Sequence, residues 1–172
     1  MLTNLQIENY LFHDKHFLGC FPCDNLPPFP RHFPKTLIVN TDYSSEPGDH
    51  WVGLVLTTRS CFYFDSYGIG ILQYNILKYI KDYYSSYIYS IKEIQDLQSE
   101  KCGEFSMAFV LYVKSVRDYK LFLDIFDGEK FLNNDIILSQ ILIPKLSKSQ
   151  KFSRKSQQRL LKKHSGLGDK NQ

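Results

Sequence analysis

Three residues of the chain carry side chains that could together perform nucleophilic catalysis. His50 stands at the start of the apolar run 51–56, Asp65 ends a second apolar run, and Cys102 begins a third. A cysteine thiolate attacks a carbonyl carbon, an imidazole transfers the protons, and a carboxylate fixes the orientation of the imidazole. The three residue types therefore predict a Cys-His-Asp site, provided that the fold brings them together.

Two strands joined by a short turn are expected to bring His50 and Asp65 to one edge of a sheet. Residues 51–56 read WVGLVL, residues 57–60 make a turn, and residues 61–64 read CFYF. In such a hairpin the first residue of one strand and the last residue of its partner share an edge, so the two side chains can meet. A histidine inside a buried strand would have to be desolvated, whereas at the first residue it faces a cleft.

The cysteine is predicted to start a helix. Residues 102–116, CGEFSMAFVLYVKSV, form an apolar run too long for one strand, and its length favours a largely buried helix. The positive end of the helix dipole favours a thiolate at such a position.

The remaining elements are predicted from periodicity and from turn residues. They are a short helix over 4–12, a proline-rich loop over 21–34, a strand over 35–40, a helix over 71–84, a strand over 87–94, and further helix over 122–142 with Asn133, Asn134 and Asp135 as an N-cap before Ile136. Both helices and strands are therefore expected in this part of the chain.

Composition bounds the class of protein. The 172 residues fit one domain, and a hydrophobic fraction of 43% with 12 Tyr and 13 Phe excludes disorder of the whole chain. We expect neither a secretory signal at the N-terminus nor a membrane-spanning stretch. The four cysteines are then expected to be reduced thiols in a cytosolic or nuclear setting.

Charge divides the chain into two parts. Residues 144–172 carry nine basic residues and one acidic residue, a net charge of +8, which leaves −5 for the rest of a chain whose total is +3. The predicted organisation is an acidic globular domain over 1–143 followed by a basic, disordered tail over 144–172.

Four stretches of the chain resemble successive blocks of one protease family. They are HFLGCFPCDNLP, LIVNTDYSSEPGDHW, FYFDSYG and QDLQSEKCGEF. The resemblance covers residues 1–142 and is to the adenovirus cysteine endopeptidase family (adenain), nearest to the Polinton/Maverick and adintovirus proteases. The ubiquitin-like, SUMO-processing cysteine proteases are more distant. The resemblance implies an α+β papain-like fold of circularly permuted order, with a mixed central sheet flanked by helices.

The resemblance also implies roles for individual residues. The family order of catalytic residues falls here on His50, Asp65, Gln95 and Cys102. Adenain-like enzymes place the oxyanion-hole glutamine seven residues before the cysteine, which selects Gln95, whereas the SUMO-processing type places it six before, where this chain has Asp96. Gln98 lies only four residues before the cysteine and is the less favoured donor. Apart from the resemblance, the position of Trp51 beside His50 predicts that its ring roofs the cleft as a substrate contact.

For function the resemblance implies a cysteine endopeptidase that processes capsid or core precursor proteins at Gly-Gly or Gly-X sites. We expect an intracellular, monomeric enzyme of the host nucleus or the virion. The resemblance makes an activating peptide and DNA candidate cofactors, and no metal is expected. The basic tail is predicted to contact DNA through Lys145, Lys148, Lys151, Arg154, Lys155, Arg159, Lys162 and Lys163.

Other interpretations remain open at the level of sequence. The chain could be an isopeptidase specific for ubiquitin-like proteins, or a non-catalytic capsid-associated protein on a protease scaffold. The tail could serve solubility or nuclear import. The spacing Cys20-Phe-Pro-Cys23 is typical of a metal or redox site, but no second Cys or His pair stands at zinc-ligand spacing. Cys61, within an apolar strand, is expected to be inert.

Overall fold

A computed structural model describes residues 1–142 of the chain. Within them a five-stranded sheet is accompanied by helices. The strands are β1 (Phe17–Pro22), β2 (Lys35–Asn40), β3 (Trp51–Leu56), β4 (Cys61–Phe64) and β5 (Tyr87–Ile88), and the helices are α1 (Asn4–Leu11), α2 (Tyr74–Lys81), α3 (Cys102–Val116), α4 (Tyr119–Leu123) and α5 (131–142).

The sheet is mixed, and its strands follow one another in sequence order. The pairs β2–β3 and β3–β4 are antiparallel, whereas β1–β2 and β4–β5 are parallel. All six residues of β3 are buried, because both faces of the sheet are covered. Burial on both faces therefore fixes the position of β3, and with it the position of the residue that precedes the strand.

Helix α3 packs on one face of the sheet and α2 on the other. Ten of the 15 residues of α3 are buried, and the cluster around them includes Ile38, Val55 and Phe64 from three strands. The opposite cluster joins alternate strand residues, such as Leu37 and Leu54, to α2. Side chains that alternate between the two faces of each strand produce these two cores.

Gly53 lets α3 approach the sheet closely. A Cβ atom at this position would lie 2.8 Å from the Phe109 ring of α3. The absence of a side chain in the middle of β3 therefore sets the spacing between the sheet and the helix that begins with Cys102.

Most predicted elements are confirmed, but several differ from the prediction. The helix predicted over 122–142 is interrupted, because residues 124–130 are not helical. The predictions for β2, β3, β4 and α3 match at both ends, and α2 is shorter than predicted. Strand β1 was not predicted, and the strand predicted over 87–94 covers only two residues. The edge strand pairs with β4 only at Tyr87 and Ile88, because the chain then turns to contact the loop after β4.

The prediction of an N-cap at residues 133–135 is wrong. Helix α5 already includes residue 131, and Asn134 is buried within it. Its side chain accepts a hydrogen bond from the Asp127 N–H (2.9 Å) and donates one to the Ile94 carbonyl (2.9 Å). The polar side chain thus satisfies backbone groups of distant loops, which no local pattern reveals.

The predicted α+β class, with a mixed central sheet flanked by helices, is confirmed. In the described part of the chain, every helix is too short or too polar to span a bilayer. The predicted tail over 144–172 lies outside the described residues, so the domain boundary stays a prediction.

Candidate active site

The structure brings His50 and Asp65 together. His50 immediately precedes β3, and its carbonyl accepts a hydrogen bond from the Thr41 N–H (2.9 Å), which extends the pairing with β2 by one step. Asp65 directly follows β4, is 4% exposed, and its Oδ1 lies 3.0 Å from His50 Nε2. The two strands of one hairpin therefore deliver the imidazole and the carboxylate to the same edge of the sheet.

Cys102 is the first residue of α3 and is 1% exposed. Two contacts bind this end of the helix to the start of β3. The Ser106 hydroxyl donates to the Trp51 carbonyl (3.0 Å), and a Cβ on Gly103 would lie 3.3 Å from Trp51 Cδ1. Because Trp51 follows His50 directly, these contacts place the cysteine beside the histidine.

The electrostatic surroundings of His50 favour the imidazolium. Burial is the largest influence and lowers its pKa, but the hydrogen bond to Asp65 and the interactions with the Asp65 charge and with Cys102 raise the pKa from 6.5 to about 9. Nε2 is bonded to the carboxylate, and Nδ1 is buried without a hydrogen-bond partner in the described part of the chain. Nδ1 is therefore the ring nitrogen that can exchange a proton with the cysteine.

Gln95 lies in a buried network behind these three residues. It is 0% exposed, and its Oε1 accepts a hydrogen bond from the Ser66 hydroxyl (2.7 Å). Its Nε2 donates to the Tyr67 hydroxyl (3.1 Å) and to the Ser99 carbonyl (2.5 Å). Both amide hydrogens are thus in use, and Gln95 could reach an oxyanion only by exchanging one of these bonds.

The second glutamine stands apart from this network. Gln98 is exposed, and its backbone N–H donates to an Asp96 carboxylate oxygen (2.7 Å). Gln95 is therefore the glutamine whose side chain is tied to the loops of the site.

Trp51 is more deeply buried than a cleft roof would be. Its side chain is 6% exposed, its ring lies against Gly103, and its Nε1 donates to the Leu2 carbonyl (3.0 Å). Here it joins the N-terminal segment, β3 and α3. Its role as a substrate contact stays a prediction.

Tyr67 belongs to the site and was not among the predicted residues. Its ring stacks on the His50 imidazole, with centroids 4.9 Å apart and an angle of 24° between the planes. The only sequence signal was an aromatic residue in the turn Asp65-Ser66-Tyr67-Gly68, a position equally suited to an exposed turn.

The other cysteines differ from Cys102 in their surroundings. Burial raises the pKa of Cys20 to about 12 and that of Cys61 further, and it also raises the pKa of Cys23. All four cysteines are free thiols. Across residues 1–142 no three Cys, His, Asp or Glu side chains are grouped as metal ligands would be. The basic residues predicted to contact DNA lie outside the described residues.

Comparison of the chain with protein-family models and with curated protein sequences gives no match. Among solved structures, the chain is similar to the crystal structure of the selenomethionine form of the ASFV pS273R protease, with 20% sequence identity and a TM-score of 0.38. The similarity covers 62% of this chain and 43% of that protein, so the chain spans less than half of its length. The interpretation of the site therefore rests on its own geometry.

Proposed function

We propose that the protein is a cysteine endopeptidase. One observation carries the proposal: His50 is bonded through Nε2 to Asp65, while Nδ1 has no partner among the described residues and the ring interacts with Cys102 at the start of α3. A thiol, an imidazole and a carboxylate in this order form a complete nucleophilic system. A structural histidine would need no unpartnered buried nitrogen facing a cysteine.

The mechanism follows from these contacts. Cys102 transfers its proton to His50, and the Cys102 Sγ forms a bond to the carbonyl carbon of the substrate peptide. The bond between that carbon and the leaving nitrogen breaks as His50 returns the proton to the amine, which leaves a thioester. Water, deprotonated by His50, then releases the acid and the free thiol, while Asp65 keeps the imidazole oriented throughout.

The developing oxyanion needs hydrogen-bond donors. The Cys102 backbone N–H lies in the first turn of α3 and so lacks an intrahelical acceptor. We assign it as one donor and the Gln95 amide as the other, after exchange of its bond to the Ser99 carbonyl. Each donor would contribute about 3 kcal/mol to transition-state stabilisation.

The substrate we propose is a protein segment with glycine at the scissile bond, of Gly-Gly or Gly-X type. Cys102 is only 1% exposed, so a residue without a side chain reaches its sulfur with the least rearrangement. The resemblance to adenain adds capsid or core precursors as the substrate proteins and the host nucleus or the virion as the setting.

The test is a cleavage profile of the purified protein against a peptide library, with an active-site variant and a matched control. Cys102→Ala should abolish cleavage and leave the fold intact. Cys20→Ala removes a thiol whose pKa burial raises to about 12, and it should cleave as the wild type does. Wild-type turnover in Cys102→Ala would show that the site is wrongly assigned.

The same assay separates the alternative functions. A panel that adds SUMO and ubiquitin conjugates would identify an isopeptidase by selective cleavage of the conjugates. A non-catalytic scaffold would cleave nothing, and Cys102 would not react faster with a chloromethyl ketone peptide than Cys20 does.

We further propose that the basic tail holds the enzyme on DNA. The tail carries a net charge of +8, whereas the preceding residues carry a net charge of −5. Duplex DNA should therefore be attracted to the tail and not to the preceding residues. Deleting all residues after Leu142 should remove most DNA binding in a fluorescence anisotropy titration and leave peptide hydrolysis unchanged. For the full chain, the slope of log affinity against log salt should be about −0.9 per phosphate contact. Equal affinity of the truncated and full-length proteins would refute the proposal.

A further inference from the structure

Tyr67 is placed by a tight turn immediately after Asp65. The Gly68 N–H donates to the Asp65 carbonyl (3.0 Å), and Gly68 has a φ of 69°, in the region that favours glycine. A Cβ there would lie 2.6 Å from the Ile91 carbonyl oxygen. The turn is therefore closed against the segment after β5, and the direction of Tyr67 is fixed by the backbone rather than by its own side chain.

One side of Tyr67 contacts the pair of residues that controls the proton. Its backbone N–H donates to Asp65 Oδ1 (2.8 Å), the oxygen that also lies 3.0 Å from His50 Nε2. Its ring covers one face of the imidazole at a centroid distance of 4.9 Å. An aromatic face at this distance attracts an imidazolium and limits the rotation of its ring.

The other end of Tyr67 contacts the loop that leads into the nucleophile. Its hydroxyl accepts a hydrogen bond from Gln95 Nε2 (3.1 Å) and donates one to the Ser99 carbonyl (3.3 Å). Gln95 donates to the same carbonyl. Ser99 is three residues before Cys102, so this triangle of hydrogen bonds fixes the backbone just before the first turn of α3.

We propose that Tyr67 is a positioning residue that couples the two halves of the site, its ring orienting His50 and its hydroxyl orienting Gln95 and the loop before Cys102. The inference rests on the proposed peptidase function. Tyr67 is half-buried and touches groups that are 28 and 32 residues away in sequence. If Tyr67 only stabilised the turn, every replacement of it would disturb His50 and the loop before Cys102 together.

Two substitutions separate the ring from the hydroxyl. Tyr67→Phe keeps the stacked ring and should lower kcat about tenfold with little change in KM, the loss expected for one hydrogen bond of ordinary strength. The alkaline limb of kcat/KM against pH should stay where it is in the wild type. Tyr67→Leu should lower kcat further and move that limb to lower pH, because the imidazolium loses the aromatic face.

A double substitution tests whether the hydroxyl acts through the glutamine. If it does, Tyr67→Phe should cost much less kcat in a Gln95→Ala background than in the wild type. Tyr84→Phe is the matched control, since it also removes a tyrosine hydroxyl that donates to a carbonyl, that of Thr57 (2.6 Å), on the opposite core. It should lower the unfolding temperature and leave kcat and the pH profile unchanged.

The substrate-independent readout is the NMR titration of His50, measured in wild type, Tyr67→Phe and Tyr67→Leu. We expect an unchanged midpoint in Tyr67→Phe and a lower one in Tyr67→Leu. If peptides are not cleaved by the wild type, the proposed function fails while this titration still decides the role of the ring. If the wild type cleaves peptides and both Tyr67 variants keep its kcat, pH profile and His50 titration, the inference about Tyr67 is refuted.

Discussion

Replacing Asp65 by asparagine removes a negative charge from the imidazole and keeps a side chain of nearly the same size. The carboxylate lies 3.0 Å from His50 Nε2 and is 4% exposed. Of the influences on His50, burial lowers its pKa, and Asp65 and Cys102 raise it. Without the carboxylate, burial is opposed by the cysteine alone, and the pKa of His50 should fall from about 9 to its ordinary value of 6.5 or below.

The size of the effect follows from these two pKa values. A shift from about 9 to 6.5 corresponds to about 3 kcal/mol. At pH 8 it reduces the protonated fraction of His50 about 30-fold. The imidazolium protonates the leaving amine, so kcat/KM for a Gly-Gly peptide at pH 8 should fall by at least this factor.

The assay is the pH profile of kcat/KM, accompanied by the NMR titration of His50. In the wild type the alkaline limb should lie near pH 9, and in Asp65→Asn near pH 6.5 or below. Asp49→Asn is the matched control, because Asp49 is an exposed carboxylate one residue before the histidine. An alkaline limb that stays near pH 9 in Asp65→Asn would show that the carboxylate does not set the charge state of the imidazole.

Three further predictions concern the oxyanion, the packing of α3 and stability. Gln95→Ala should lower kcat about 10²-fold, whereas Gln98→Ala, at an exposed side chain, should not; steady-state kinetics with the reverse ranking would move the donor to Gln98. Gly53→Ala brings a Cβ within 2.8 Å of an α3 aromatic ring and should lower the free energy of unfolding by about 1–3 kcal/mol. Urea denaturation measures this loss, with Gly70→Ala as the control, because a Cβ there would lie 3.6 Å from a ring atom, an ordinary contact. Equal losses of unfolding free energy in the two variants would contradict the prediction. Because folding raises the pKa of His50, this residue contributes about 3 kcal/mol to the free energy of unfolding. The contribution is fully present below pH 6.5 and is lost as pH rises through 9. His50→Gln should abolish this part of the pH dependence of unfolding. An unchanged pH dependence would show that His50 is not its source.

The sequence by itself determined the order and the ends of the elements that carry the nucleophilic groups. The apolar runs of β3 and β4 and the long run of α3 are specified locally, through side-chain periodicity and segment length. Because His50, Asp65 and Cys102 stand at the ends of these elements, their approach to one another follows from pairing β3 with β4 and covering the sheet with α3.

Only the tertiary structure decided which groups surround these three residues. The Gln95 amide is held by Tyr67 and Ser99, and the Asn134 side chain bonds to loops 7 and 40 residues away. The Trp51 ring is turned towards α3. Such contacts depend on segments far apart in sequence, whose approach is set by packing of the whole core, and no local spacing encodes them. The stacking of Tyr67 on His50 is of the same kind, since a tyrosine in a turn becomes part of the site only when the turn is closed against another segment.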